Sequence, residues 1–198
     1  MKNILFALVI LSEIVLAIAF FTSLPLSRLS SEPLPRRGSK PNRYVKMMAW
    51  LPLTIISVFG TVILGILDWN SFIFDHWIRL IVGGVLIAGA LALAFWAVRS
   101  LGFITSMGIK GAFVVSGAYK YSRNPQYVAY IVLFAGYAIL CNSALTFVTV
   151  VIPIALSFLA PFREEPRLRE RFGSEYDDYF VRVPRFIPLP GRNRDHAA

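Results

Sequence analysis

The feature that most limits how this chain can fold is a set of apolar runs long enough to cross a bilayer. A membrane-spanning helix needs about 20 consecutive apolar residues. Three runs meet that length, from about Asn3 to Leu24, Met47 to Leu67 and Trp77 to Val98. A fourth apolar region, Tyr127 to Phe162, is about twice one span and is interrupted at Cys141-Asn142-Ser143. Asn and Ser favour turns because their side chains bond nearby backbone, so this region predicts a helical hairpin. The expected fold is therefore all-α, a polytopic membrane helix bundle with five transmembrane helices including a C-terminal hairpin over 125–162. Composition agrees: 57% of the residues are hydrophobic and 16% charged, too little polar surface to cover a soluble core. The first run follows Lys2, but it is longer than an apolar signal region and no small-x-small cleavage site follows it. It reads as an uncleaved anchor.

The net charge of +9 could suit a nucleic-acid partner, but its distribution points to lipid headgroups. The basic residues flank the apolar runs, and no nucleic-acid motif accompanies them. With five spans, every Lys and Arg except Lys2 and Arg79 falls on one side. The positive-inside rule makes that side cytoplasmic. The N-terminus is then outside and the C-terminus inside. The lone Cys141 allows no disulfide, and His76 and His196 are too far apart in sequence to suggest a metal site. Glu13 lies within the first run. A carboxyl there is costly in lipid and should meet a polar partner on a neighbouring helix.

Two segments on the basic side hold most of the polar chemistry. The first runs from Gly117 to Tyr127 and leads into the hairpin. Pro125 suits the first turn of a helix, Asn124 is placed to cap it, and the free N–H groups of such a terminus can hold a carboxylate. Arg123 adds a planar donor array, and the tyrosines supply faces for a ligand. An ordinary capped helix with an interfacial aromatic belt fits the same residues. The second segment opens with Arg163-Glu164-Glu165-Pro166. A Glu pair at the membrane exit is a candidate for binding an ammonium or hydroxyl group. A solvated helix whose Glu and Arg pair at helical spacing is the alternative. Leu168, Phe172, Tyr176 and Tyr179 recur at helical spacing, which predicts a cytoplasmic amphipathic helix, with Gly173 as a break. The chain after Gly191 reads as a disordered tail.

Taken in order, these motifs resemble those of a known family. They are Gly-x-Tyr at Gly117, Arg-Asn-Pro-x-Tyr at Arg123–Tyr127, the hairpin, Glu164-Glu165, Phe-Gly-x-x-Tyr at Phe172, and Val-Pro-Arg at Val183–Arg185. The pattern is similar to that of the isoprenylcysteine carboxyl methyltransferases, relatives of the membrane phospholipid N-methyltransferases, over about Leu101 to Pro188. The resemblance implies S-adenosyl-L-methionine as cofactor, in a cytoplasmic pocket formed by hairpin and tail. By position, Ala112, Phe113 and Val114 would line the cofactor, Tyr119, Arg123, Asn124, Pro125, Gln126 and Tyr127 would contact it, and Glu164 would hold its ammonium. It divides one membrane domain into three first spans (1–98, with a loop at 25–46), a cofactor-binding catalytic region (99–190) and the tail 191–198.

Methyl transfer to a lipophilic or lipidated acceptor entering from the bilayer is the expected activity, with Glu165 or Tyr127 as a base if the acceptor needs one and Arg163 or Arg182 orienting an anionic substrate. The family often carries His at the position of Asn124. Its prenylcysteine enzymes place an Arg about one turn before the Glu pair, where this chain has Ala160. A membrane reductase of sterol-like lipids using a nicotinamide cofactor, and a non-catalytic membrane scaffold, are the competing readings.

Overall fold

A computed structural model of the chain describes residues 1–22, 43–102 and 113–187, with backbone alone for 43–50. The expected connection over 25–42, Ala112 and the tail 191–198 lie outside the described residues. The described chain is helical, without strands: α1 (Lys2–Thr22), α2 (Arg43–Leu67), α3 (Ile78–Leu101), a 3-10 turn (Gly117–Lys120), α4 (Pro125–Cys141), α5 (Ala144–Thr149), α6 (Val151–Phe172) and α7 (Ser174–Arg182). Three stretches are long and apolar enough to cross a membrane, Lys2–Thr22, Ile78–Leu101 and Ala144–Phe172; Leu51–Leu67 and Pro125–Cys141 are shorter apolar helices.

Two boundaries differ from expectation. Helix α2 begins at Arg43 rather than after Lys46. Helix α6 does not end at Phe162 but continues to Phe172, with Pro161 and Pro166 inside it. The Arg-Glu-Glu segment is therefore helical, on the same element as the second arm of the hairpin. The helix stops where Gly173 takes a φ of +58°, a left-handed geometry that costs residues with a Cβ.

The chain divides into two compact units. The first comprises Met1–Asp75 and Cys141–Leu156. In it α1 packs on α2 through a contact that only glycine permits: a Cβ at Gly60 would lie 2.3 Å from Val9 Cγ2. Glu13 meets the polar partner the sequence demands, since Ser57 Oγ on α2 donates to Glu13 Oε1 at 3.2 Å. The hairpin turn is held by the loop after α2. Asn142 adopts a left-handed φ of +47°, and its side chain donates to Asn70 Oδ1 at 2.8 Å and accepts from the Phe74 N–H at 3.1 Å. Ser143 caps α5 by accepting from the Thr146 N–H at 3.1 Å. Asp68 accepts from Ser143 Oγ at 2.8 Å, Ser71 Oγ at 2.6 Å and Lys2 Nζ at 3.0 Å. Burial raises the Asp68 pKa, but these bonds and one from the Leu145 N–H outweigh it and hold the carboxyl at about 2.

The second unit comprises His76–Leu140 and Ser157–Ala198. Helices α3 and α4 touch backbone to backbone. A Cβ at Gly83 would lie 2.8 Å from the Gly136 carbonyl oxygen, and one at Gly136 would lie 2.8 Å from Leu86 Cβ. Small residues that let helices approach this closely are a common packing device in bilayers, where apolar surface by itself does not drive helices together. Arg79 Nη1 donates to the Leu140 carbonyl at 2.5 Å, which satisfies an end of α4 that has no intrahelical partner.

Candidate functional site

The polar residues of the second unit gather where the entry of α4 meets α6. The segment before α4 is fastened to α3 by Ser100, whose Oγ donates to the Trp96 carbonyl at 2.7 Å and accepts from the Ala118 N–H at 3.3 Å. Gly117, at φ +60°, has no room for a Cβ, which would lie 2.1 Å from that same Ser100 Oγ. The 3-10 turn that follows buries Ala118 and Tyr119, and Pro125 opens α4 fully buried.

From this frame Tyr127 donates its hydroxyl to Glu164 Oε1 at 2.6 Å. The bond joins the first turn of α4 to the middle of α6, between residues far apart in sequence. Glu164 is exposed and Tyr127 half-buried. Tyr130 packs edge-on against the Tyr127 ring, 6.3 Å between centroids. The charge of Glu164 also reaches Tyr119. Burial, with that charge, pushes the Tyr119 hydroxyl far above the usual phenol range, so Tyr119 stays a neutral donor. Arg163, half-buried, lies within electrostatic range of Glu164 and Tyr127. Gln126 Nε2 is buried with no hydrogen-bond partner among the described residues.

Glu165 faces a different set of residues. Arg185 grips its carboxylate with both ends of the fork, Nε to Oε1 at 2.9 Å and Nη2 to Oε2 at 2.6 Å. Arg123 Nη2 stands 3.6 Å from Oε1. A bidentate guanidinium–carboxylate pair is among the stronger side-chain contacts. The guanidiniums of Arg185 and Arg123 each sit 3.9 Å from an aromatic centroid, over Phe162 and Phe180 respectively. Glu165 is therefore engaged at both oxygens by two arginines, and its expected use as a base meets a carboxylate already committed. The carboxylate that Arg123 touches is likewise the protein's own. Burial lowers the Arg123 pKa, opposed by the charge of Glu165.

Three hydrogen bonds bind the segment after α7 to the entry of α4. The Arg123 N–H donates to the Pro184 carbonyl at 2.9 Å. Asn124 Nδ2 and Ser122 Oγ donate to the Arg185 carbonyl at 3.1 and 3.3 Å, and Ser122 Oγ also accepts from the Asn124 N–H at 3.1 Å. Beneath them Tyr179 donates its hydroxyl to the Tyr119 carbonyl at 2.8 Å. Phe113 places its ring among Phe172, Tyr176 and Tyr179, at 5.1, 5.9 and 5.4 Å between centroids. Burial, with the charge of Glu165, pushes the Tyr176 hydroxyl up to about 12. Val114, partly buried, lies in the irregular stretch between Phe113 and the 3-10 turn. Arg182 turns back on its own helix, its Nε donating to the Asp178 carbonyl at 3.1 Å.

Tyr127, Glu164, Arg163 and Tyr119 thus meet at one corner, and Arg123, Asn124 and Glu165 form its support with Arg185. Sequence reasoning missed Arg185 and Tyr179 as parts of that support. The Val-Pro-Arg motif was the available signal for the first, and the helical spacing of Phe172, Tyr176 and Tyr179 for the second.

The described residues are those of a helical protein with membrane-length apolar helices and a polar corner where the entry of α4 meets α6. The phospholipid methyltransferase family model matches residues 78–175. Through that stretch, which takes in α3, α4 and the Glu pair, the chain belongs to the phospholipid methyltransferase family, and it is a membrane methyltransferase. No match emerges among the curated proteins or the solved structures.

Proposed function

We propose that the protein transfers a methyl group from S-adenosyl-L-methionine to a lipophilic acceptor that reaches the Tyr127–Glu164 corner from the bilayer. The observation that carries this reading is the Tyr127–Glu164 hydrogen bond of 2.6 Å. It joins the Arg-Asn-Pro-x-Tyr and Glu-Glu motifs, both within the matched residues 78–175.

The residues present fit the cofactor. Glu164 offers an exposed carboxylate to an ammonium group, the start of α4 offers helix N–H groups to a carboxylate, and Gln126 Nε2 has a buried donor free among the described residues. Tyr119 and Tyr127 present aromatic faces, which attract a cationic centre. When bound, the cofactor supplies an electrophilic methyl group on a sulfonium.

The protein's own work is chiefly to hold the acceptor in line. A carboxylate acceptor needs no base. An amine or hydroxyl acceptor must lose a proton, and the Tyr127–Glu164 pair is placed to hold it. Arg163, beside that pair, is the residue to orient an anionic acceptor. The cytoplasmic placement of this corner rests on the asymmetry of Lys and Arg along the chain. A prenylcysteine-type carboxylate is one acceptor of the required kind.

Calorimetry of the purified, folded protein with S-adenosyl-L-methionine tests the reading. Saturable binding is expected, weakened in Glu164→Gln. Folded protein that binds none in either detergent or lipid overturns it.

A further inference from the structure

The first unit holds a buried acid that the methyl-transfer reading does not use. Glu13 lies near the middle of α1 and has no exposed surface. Its Oε1 accepts from Ser57 Oγ at 3.2 Å, while its Oε2 has no hydrogen-bond partner among the described residues. One turn beyond Ser57 on α2, Thr61 is 1% exposed, and its Oγ1 also has no partner among the described residues. Each member of this packed helix pair therefore holds one orphaned buried oxygen, and a third, Thr146 Oγ1, lies on α5. Buried polar atoms are nearly always satisfied, and a coincidence of two asks for a cause.

Among the described residues, no charged side chain on the helices packed against α1 neutralises Glu13. The helices packed against α1 are α2 and α5. Neither Leu51–Leu67 nor Ala144–Thr149 contains an Asp, Glu, Lys, Arg or His. On α1 the only other charged side chain is Lys2, engaged by Asp68. Arg43 and Lys46 begin α2, about three turns before Ser57. A bare carboxylate in this setting would cost several kcal/mol or more. A neutral carboxylic acid costs far less, and it has a donor to place.

We infer that Glu13 is a proton-binding site within the membrane: it carries its proton on Oε2, donates it to Thr61 Oγ1, and in that neutral form holds α1 against α2. The inference accounts for both orphaned oxygens with one hydrogen. Ser57 donates to the remaining carbonyl oxygen. Proton loss would leave a charge on a residue with no exposed surface, in a helix pair packed so closely that a Cβ at Gly60 would lie 2.3 Å from Val9 Cγ2.

Infrared difference spectroscopy of the full chain in lipid, wild type against Glu13→Gln, tests it. A protonated-carboxyl C=O band should be present in wild type at neutral pH and absent from the variant. Ser57→Ala should raise its frequency by removing the donor to Oε1, and Thr61→Val should shift it by removing the acceptor for the proton. On raising the pH, loss of the band should coincide with a fall in the wild-type unfolding temperature that Glu13→Gln, neutral throughout, does not share. No Glu13-dependent acid band, or a band unmoved by both Ser57→Ala and Thr61→Val, overturns the inference. If Glu13→Gln fails to fold, the two neighbouring variants still decide it, because they leave Glu13 in place.

Discussion

Tyr127 and Glu164, separated by 37 positions, meet through a 2.6 Å hydrogen bond in which the phenol donates to the carboxylate. The next residue, Glu165, is instead gripped by Arg185 and approached by Arg123. Successive helical residues point about 100° apart, so the two members of the Glu pair serve different faces of α6, one at the working corner and one at its support.

Removing the hydroxyl should damage function far more than stability. Glu164 is exposed, so after Tyr127→Phe water can replace the phenol at its carboxylate, and the unfolding temperature should change little. Without the phenol to position that carboxylate, cofactor binding or turnover should fall roughly tenfold to a hundredfold, since a small misplacement of a positioning group can cost about a hundredfold. Calorimetry and a labelled-methyl assay on the same preparation measure both.

Glu165→Ala should behave the opposite way. It strands Arg123, whose side chain is 7% exposed, and the partly buried Arg185. Breaking a buried pair on one side costs about 3–5 kcal/mol. The double variant Glu165→Ala/Arg185→Ala should be less destabilised than the sum of the two single variants, because the uncompensated charge at residue 185 is gone. Thermal unfolding in detergent gives the comparison, and additive effects would deny the pair its coupling.

Acid should loosen the first unit through Asp68. Its folded pKa of about 2 lies below the ordinary value of 3.8, so its contribution is fully present above about pH 4 and is lost as the pH falls toward 2. The difference amounts to roughly 2 kcal/mol. Asp68→Asn should lower stability at neutral pH and flatten the pH dependence over that window, as followed by unfolding between pH 2 and 6. An unchanged acid limb in the variant would assign the dependence elsewhere.

Neighbouring glycines on α3 make a controlled pair. Gly83→Ala pushes a methyl to 2.8 Å from the backbone of α4, whereas a Cβ at Gly84 meets nothing within 4 Å. The first should cost about 1–3 kcal/mol by overpacking. The second should be neutral or slightly stabilising, since Ala is the better helix former. Equal unfolding temperatures for the two variants would contradict the close α3–α4 contact.

Much of this was legible in the sequence because it depends on local order. Apolar runs of bilayer length become helices wherever they lie, since lipid offers no partner for an unpaired backbone group. Asn142 and Gly173 mark the turn and the break because few other residues tolerate positive φ. The need of Glu13 for a polar partner also follows from burial alone. What each carboxylate meets is another matter. Only the tertiary structure placed Glu164 against Tyr127 and Glu165 against Arg185, carried α6 through Pro161 and Pro166 to Phe172, and set Ser57 rather than another hydroxyl beside Glu13. Those outcomes turn on the rotation of one helix against another and on contacts between residues distant in sequence. The pattern of apolar and polar residues along a single helix leaves that rotation open; for α1 on α2 and α3 on α4 it is set by close packing at Gly60, Gly83 and Gly136.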